Sequence, residues 1–295
     1  MNEFKVLSGI ECSKIVYKEL SVRIKSLKLK NTVPCLAAIL VGENPASEIY
    51  VRSKRKMFES MRIKSRTFRL DSECREKDIL DLIHELNFDS NFHGILVQLP
   101  LPGRIDSQEI ISAIDPLKDV DGFHPENVGL LSIGKPRFVP CTPKGIMRIF
   151  EIEKISLNGK HIVVLGRSNI VGRPISILTS LKRRGMNATT TICHSATKEI
   201  KKHTKSADIL ISAIGIPNFI DGSMLKNNSI IIDVGINRII NKLTNKTQLV
   251  GDANWEKITN IASAATPVPG GVGPMTISML LENTIVAAER KISSQ

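Results

Sequence analysis

His161-Ile-Val-Val-Leu-Gly-Arg-Ser-Asn-Ile-Val-Gly-Arg-Pro174 is the stretch on which the fold class turns. A β-branched apolar run enters a glycine-rich turn, and the residues beyond it suit the opening of a helix. Gly166 permits a tight turn and close backbone approach, and Gly172 permits tight helix packing. Pro174 is tolerated in a first helical turn, whose amides have no intrahelical acceptor. Such a helix N-terminus can receive a pyrophosphate. Ser168 stands where the middle glycine of G-x-G-x-x-G would be, so a purely structural turn remains the alternative. The stretch is not a hydrolase nucleophile elbow either, because Ile170 occupies the last glycine position of G-x-S-x-G.

Working outward, similar runs recur between segments of helical length: Thr189 to His194, Asp208 to Gly215 and Ser229 to Gly235. That alternation predicts a doubly wound parallel sheet. A dinucleotide site of the NAD type places a carboxylate at the end of its second strand, whereas this strand ends Cys193-His194-Ser195. Arg167 and Ser195, with His194 or Lys198, can hold a 2′-phosphate, which favours NADP; ordinary solvated polar residues are the alternative.

Upstream, Val33 to Val41 and Gly94 to Leu99 have the composition of buried strands, with helical segments at Ile49 to Ser60 and Glu76 to Leu86. Pro140, Thr142 and Pro143 punctuate one passage; Pro267, Pro269, Gly270, Gly271, Gly273 and Pro274 punctuate a second. Met275 to Arg290 has apolar residues at helical spacing, and we expect it to return to the first domain. The expectation is therefore two α/β domains flanking a cleft: residues 1–139 with 275–295 form one, and residues 140–274 form a Rossmann-like one.

The chain has 295 residues, and 42% are hydrophobic, enough for two cores. Met1 to Cys12 lacks the apolar run of a signal peptide, and no stretch approaches the roughly 20 apolar residues of a membrane span. Five scattered cysteines without a C-x-x-C pair fit reduced thiols in a cytosol. No H-E-x-x-H or similar spacing predicts a metal. A net charge of +12 calls for an anionic partner. Dispersed basic residues, two tyrosines, one tryptophan and no nucleic-acid-binding signature make a small anionic molecule the better reading.

Three polar placements point to chemistry. Tyr50 and Lys54 lie four apart, on one face of a predicted helix. Y-x-x-x-K also marks short-chain dehydrogenases, but there it follows the dinucleotide fold, and here it precedes it. Gln98 lies within the apolar run Gly94-Ile-Leu-Val-Gln-Leu-Pro-Leu-Pro102, and Asp119-Val-Asp-Gly-Phe-His-Pro125 sets two carboxylates beside a glycine. Buried polar groups of this kind need partners, structural or catalytic.

Together with Val41-Gly-Glu-Asn-Pro-Ala-Ser47, Lys118 to Pro125, Gly166 to Pro174 and Thr266-Pro-Val-Pro-Gly-Gly-Val-Gly-Pro-Met-Thr276, these stretches resemble the methylenetetrahydrofolate dehydrogenase/cyclohydrolase family, in order and over nearly the whole chain. The resemblance implies oxidation of 5,10-methylenetetrahydrofolate with NADP, then hydrolysis to 10-formyltetrahydrofolate. It makes Lys54 the catalytic lysine, Gln98 its hydrogen-bonding partner, Tyr50 a stacking platform within the same catalytic group and Asp121 the pterin anchor. Pro269, Gly270 and Gly271 would contact folate and nicotinamide. Gly166, Arg167, Ser168, Ile170, Gly172, Arg173, Pro174, His194, Ser195 and Ile236 would bind the cofactor. Ile216 replaces a frequently polar position and Ala265 a larger apolar one. The resemblance further implies a homodimer acting on tetrahydrofolate derivatives, and the composition and spacing above add a cytoplasmic location with no metal, nucleic acid or membrane partner. A shikimate-dehydrogenase-like oxidoreductase and a basic RNA-binding protein are the rivals. The absence of G-x-x-x-x-G-K-[ST] predicts no ATP-driven activity.

Overall fold

A computed structural model describes residues 3–240 and 247–293. Its strands are, in chain order, β1 (Lys5–Val6), β2 (Cys35–Val41), β3 (Lys64–Leu70), β4 (Gly94–Val97), β5 (His161–Leu165), β6 (Thr189–Cys193), β7 (Ile209–Ser212), β8 (Ile230–Asp233), β9 (Asn237–Ile240), β10 (Thr247–Val250) and β11 (Ala264–Ala265). The chain divides into two compact units, Met1–Lys14 with Thr142–Thr276 and Ile15–Cys141 with Ile277–Gln295.

The first unit is built on a six-stranded sheet in the order β1-β11-β8-β7-β5-β6. Every pairing in it is parallel, with Ile162 of β5 set between Thr190 of β6 and Ile209 of β7. Parallel strands joined by helices are covered on both faces, and so the interior strands are nearly continuous apolar runs. Val163, Leu165, Leu210 and Ile231 accordingly lie in one buried cluster. β6 reads Thr-Thr-Thr-Ile-Cys because it is the sheet's edge, where Thr189 is exposed and the half-buried Thr190 and Thr191 find partners in Thr179 and His161. A separate antiparallel pair, β9 with β10, was not expected from the sequence.

The second unit holds a three-stranded parallel sheet in the order β3-β2-β4. β2 is central, and all seven of its residues, Cys-Leu-Ala-Ala-Ile-Leu-Val, are buried. Helix Pro45–Ser60 turns Val51 and Phe58 inward, and helix Glu76–Phe88 does so with Ile79, Ile83 and Leu86.

The division differs from the expected 1–139, 140–274 and 275–295. Lys5–Val6 adds a parallel strand to β11, and the Ile10 amide donates to Gly270 O at 3.2 Å, so the first residues group with the six-stranded sheet. The C-terminal helix runs Val272–Ser293, three residues earlier than its apolar spacing indicates, with Pro274 tolerated in its first turn. Residues 1–2 and 294–295 of the expected first domain lie outside the described residues.

Candidate active site

Lys54 and Gln98 come together in the second unit. Pro45 opens helix Pro45–Ser60 and the Asn44 side chain accepts from the Ser47 amide at 3.2 Å, a local cap that sets where the helix begins. Because Val51 and Phe58 face the sheet, Tyr50 and Lys54 share the neighbouring flank, and both are half-buried. Gln98 follows β4 directly, and its amide donates to Ile39 O of β2 at 2.9 Å. Its side-chain Nε2 donates to Leu99 O at 2.8 Å, which leaves Oε1 to accept from Lys54 Nζ at 3.0 Å. The lysine nitrogen is thus aimed by a glutamine that is itself oriented by main chain. This constellation can shuttle a proton at a fixed point.

The two carboxylates of Asp-Val-Asp-Gly have different work. Asp119, 1% exposed, accepts from the Gly122 amide at 3.1 Å, the His124 amide at 2.8 Å and Asn127 Nδ2 at 2.8 Å, and so shapes the turn. Gly122 adopts φ +75°, and a Cβ there would meet the Pro140 nitrogen at 3.0 Å. Asp121, partly exposed, has one hydrogen-bond partner among the described residues, the Cys141 thiol at 3.5 Å. Burial, opposed by Lys54 and reinforced by Asp119, pushes its carboxyl up to about 6. It is left available to a ligand, ionised at neutral pH, beside a cation.

In the first unit, Gly166 and Gly172 are both required. Gly166 adopts φ +109°, with the Ala213 carbonyl oxygen 2.5 Å from where a Cβ would lie, and a Cβ on Gly172 would lie 2.2 Å from Gly166 O. The Ser168 hydroxyl accepts from the Val171 and Gly172 amides at 3.1 and 3.4 Å, completing the turn before helix Gly172–Ser180. Serine at the middle glycine position is therefore part of the turn's own closure. Arg167 and Ile170 are exposed; Arg173 donates to Asn169 Oδ1 at 3.0 Å, and Pro174 is buried. After β6, His194 Nδ1 accepts from the Ala196 amide at 3.2 Å, so the ring braces its own loop, and Ser195 is exposed. Arg167, the glycine turn and Ser195 all follow the carboxyl ends of neighbouring strands β5 and β6, where open parallel sheets bind ligands.

Pro269, Gly270 and Gly271 belong to this same unit. The Val268–Pro269 bond is cis, Gly270 adopts φ +101°, and a Cβ on Gly271 would lie 2.4 Å from Pro267 O. Ile236, between β8 and β9, is exposed.

Sequence reasoning missed several supports. Asp252, fully buried, accepts from Ser212 Oγ, the Ile214 and Gly215 amides and Asn237 Nδ2. Asp233 accepts from the Gly235, Asp252 and Ala253 amides, and burial pushes it up to about 6. These carboxylates clip together the loops after β7 and β8. The one sequence signal is reciprocal: Gly235 is needed against Asp252, and Gly251 against Asp233. Among the described residues no group of three or more His, Cys, Asp or Glu side chains is arranged to hold a metal.

Comparison with known proteins also finds two parts in the chain. The catalytic-domain family model of tetrahydrofolate dehydrogenase/cyclohydrolase matches residues 7–121, and its NAD(P)-binding-domain model matches residues 140–292. The chain is 50% identical over 287 residues to the bifunctional protein FolD of Acetivibrio thermocellus, covering 97% of this chain and 98% of that one. It is 48% identical over 290 residues to the FolD of Streptococcus agalactiae serotype Ia, covering 98% and 99%. Among solved structures, the Campylobacter jejuni FolD methylenetetrahydrofolate dehydrogenase/cyclohydrolase superposes with a TM-score of 0.92 at 44% identity, covering 98% and 99%. The Trypanosoma brucei dehydrogenase-cyclohydrolase, complexed with NADP cofactor and inhibitor, also gives 0.92, at 35% identity and 99% coverage of both chains.

Proposed function

The chain belongs to the tetrahydrofolate dehydrogenase/cyclohydrolase family, and on that premise we propose the work of its residues. It oxidises 5,10-methylenetetrahydrofolate to 5,10-methenyltetrahydrofolate with NADP and hydrolyses the product to 10-formyltetrahydrofolate. The observation that carries the residue assignment is Lys54 Nζ held 3.0 Å from Gln98 Oε1, in the unit that also offers Asp121.

Asp121 accepts paired hydrogen bonds from the pterin amino group and ring N–H, fixing both the position and the plane of the ring. Tyr50, one helical turn from Lys54, stacks on the folate aromatic ring. When bound, NADP supplies the acceptor for the hydride leaving the bridging carbon. Its fit rests on the turn at Gly166 to Pro174, where two missing Cβ atoms let backbone approach closely and the helix Gly172–Ser180 presents its N-terminus. Arg167 and Ser195 hold the 2′-phosphate; Ser168, Ile170, Arg173, His194 and Ile236 line the remaining contact, with Pro269, Gly270 and Gly271 contributing to substrate.

Hydride loss leaves a cation shared by N5 and N10, and water then adds to the methenyl carbon. The carbon–N5 bond breaks, N5 takes one water proton, the other is released, and the formyl group stays on N10. Lys54, steered by Gln98, relays the proton between that water and N5.

A homodimer in the cytoplasm, with neither nucleic acid nor membrane as partner, completes the proposal. Five free cysteines fit a reducing compartment, and light scattering checks the dimer. The deciding experiment is incubation with methylenetetrahydrofolate and NADP, following methenyl and formyl products separately. Both should form in sequence; NADP reduction with no formyl product would remove the second activity.

A further inference from the structure

Asn283 is 1% exposed within helix Val272–Ser293, among Met279, Leu280, Leu281 and Ile285. A polar amide on so apolar a helix face costs stability unless it finds partners. Its Nδ2 carries two hydrogens, and both leave the helix: one goes to Val120 O at 2.8 Å and the other to Val139 O at 3.0 Å. Those carbonyls belong to the two chain segments that meet at Asp121. Val120 directly precedes the carboxylate, and Val139 lies two residues before Cys141, whose thiol is the partner of Asp121 Oδ1. Nδ2 also lies 3.8 Å from Cys141 Sγ. Gly122 lies in the same seam, where a Cβ would sit a tight 3.0 Å from the Pro140 nitrogen.

We propose that Asn283 is a positioning residue for folate: by tying Val120 to Val139 it sets where the Asp121 carboxylate sits and which way it points. The proposal rests on the reading of Asp121 as the pterin anchor. Recognition by paired hydrogen bonds depends on direction as well as distance, so a small displacement of the carboxylate is felt in affinity. The local turn has its own support, because Asp119 gathers three donors without Asn283. Losing the amide therefore changes the separation of the two segments and leaves the turn formed. Leucine would fill the volume of Asn283 but take its donor from Val139 O and leave Val120 O to the longer contact from the Cys141 thiol at 3.5 Å, and aspartate would set oxygen against oxygen.

The test is steady-state kinetics of Asn283→Leu and Asn283→Ser, the second keeping one donor and serving alone if the first does not fold. The KM for methylenetetrahydrofolate should rise roughly tenfold or more for leucine and less for serine, with the KM for NADP unchanged and kcat at saturating folate within a few-fold. A residue that only supports the fold would lower the thermal midpoint and the amount of active enzyme while leaving the folate KM alone; that result overturns the proposal. A double-mutant cycle isolates the route. In an Asp121→Ala background the Asn283 change should add nothing further to the folate KM, whereas fully additive effects would show that Asn283 acts elsewhere. If Asp121→Ala itself leaves folate binding intact, the anchor reading fails first. If Asp121→Ala is impaired and Asn283→Leu is not, only the present inference fails.

Discussion

Asp119 and Asp121 stand two residues apart, and the turn separates their roles by hydrogen bonding. Among the described residues three donors occupy Asp119, whereas Asp121 Oδ1 meets the Cys141 thiol, which lies as close to Val120 O. Since Asp121 is pushed up to about 6, binding through its ionised form should weaken as pH falls through 6. The folate KM of the parent should therefore climb below that pH, and Asp121→Asn should show a high KM with the acid limb gone. Parallel KM profiles for the two proteins would count against the assignment. For Arg167, exposed beside the glycine turn, replacement by alanine should raise the KM for NADP far more than for NAD. A lost charge-assisted phosphate contact costs about 1.5–3 kcal/mol, or roughly ten- to 150-fold. Equal use of both cofactors by the parent would remove this role.

At the scale of elements, the apolar strands were legible and the shortest or most charged ones were not. β2, β4, β5, β7 and β8 are buried on both faces, so their sequences are apolar runs that announce themselves. β3 reads Lys-Ser-Arg-Thr-Phe-Arg-Leu because it is an edge strand with charge set on the open side, a pattern that resembles a solvated loop. β1 spans two exposed residues, and only its pairing with β11 makes it a strand, so nothing in its own sequence marks it. Lys54 and Gln98, 44 residues apart, were paired through family resemblance; the contact itself is a tertiary fact. The separate tasks of Asp119 and Asp121 were invisible for the same reason. The glycine turn yields a prediction of its own. Gly172→Ala puts a methyl 2.2 Å from Gly166 O, so backbone must move. Isothermal titration should show NADP affinity lost and folate affinity kept; unchanged NADP binding would mean the turn does not form the cofactor cradle.

For the molecule as a whole, buried titrating groups couple stability to pH in opposite directions. Burial, then Lys291 and Lys118, lower His93 to about 4, and its Nδ1 accepts from the Cys35 amide at 3.3 Å. Its folded value lies below its unfolded one, so its contribution is present above pH 6.5 and is lost as pH falls towards 4, by as much as roughly 3 kcal/mol. Asp121 and Asp233 are raised, so their contributions are present below about pH 4 and are lost as pH rises through 6. His93→Asn keeps an acceptor for the Cys35 amide without titrating. Urea midpoints of parent and variant should diverge between pH 7 and 4, the parent losing more; a constant difference would mean His93 does not couple to folding. One chain runs two reactions, and Lys54→Met shows whether proton transfer in the second depends on Lys54. Both rates should be measured on one folded preparation, alongside the parent. Cyclohydrolase activity should fall by roughly 10²-fold or more, the scale for loss of a general acid–base group, while dehydrogenase activity falls less and the methenyl compound accumulates. Hydrolysis of methenyltetrahydrofolate at the parental rate would contradict that dependence.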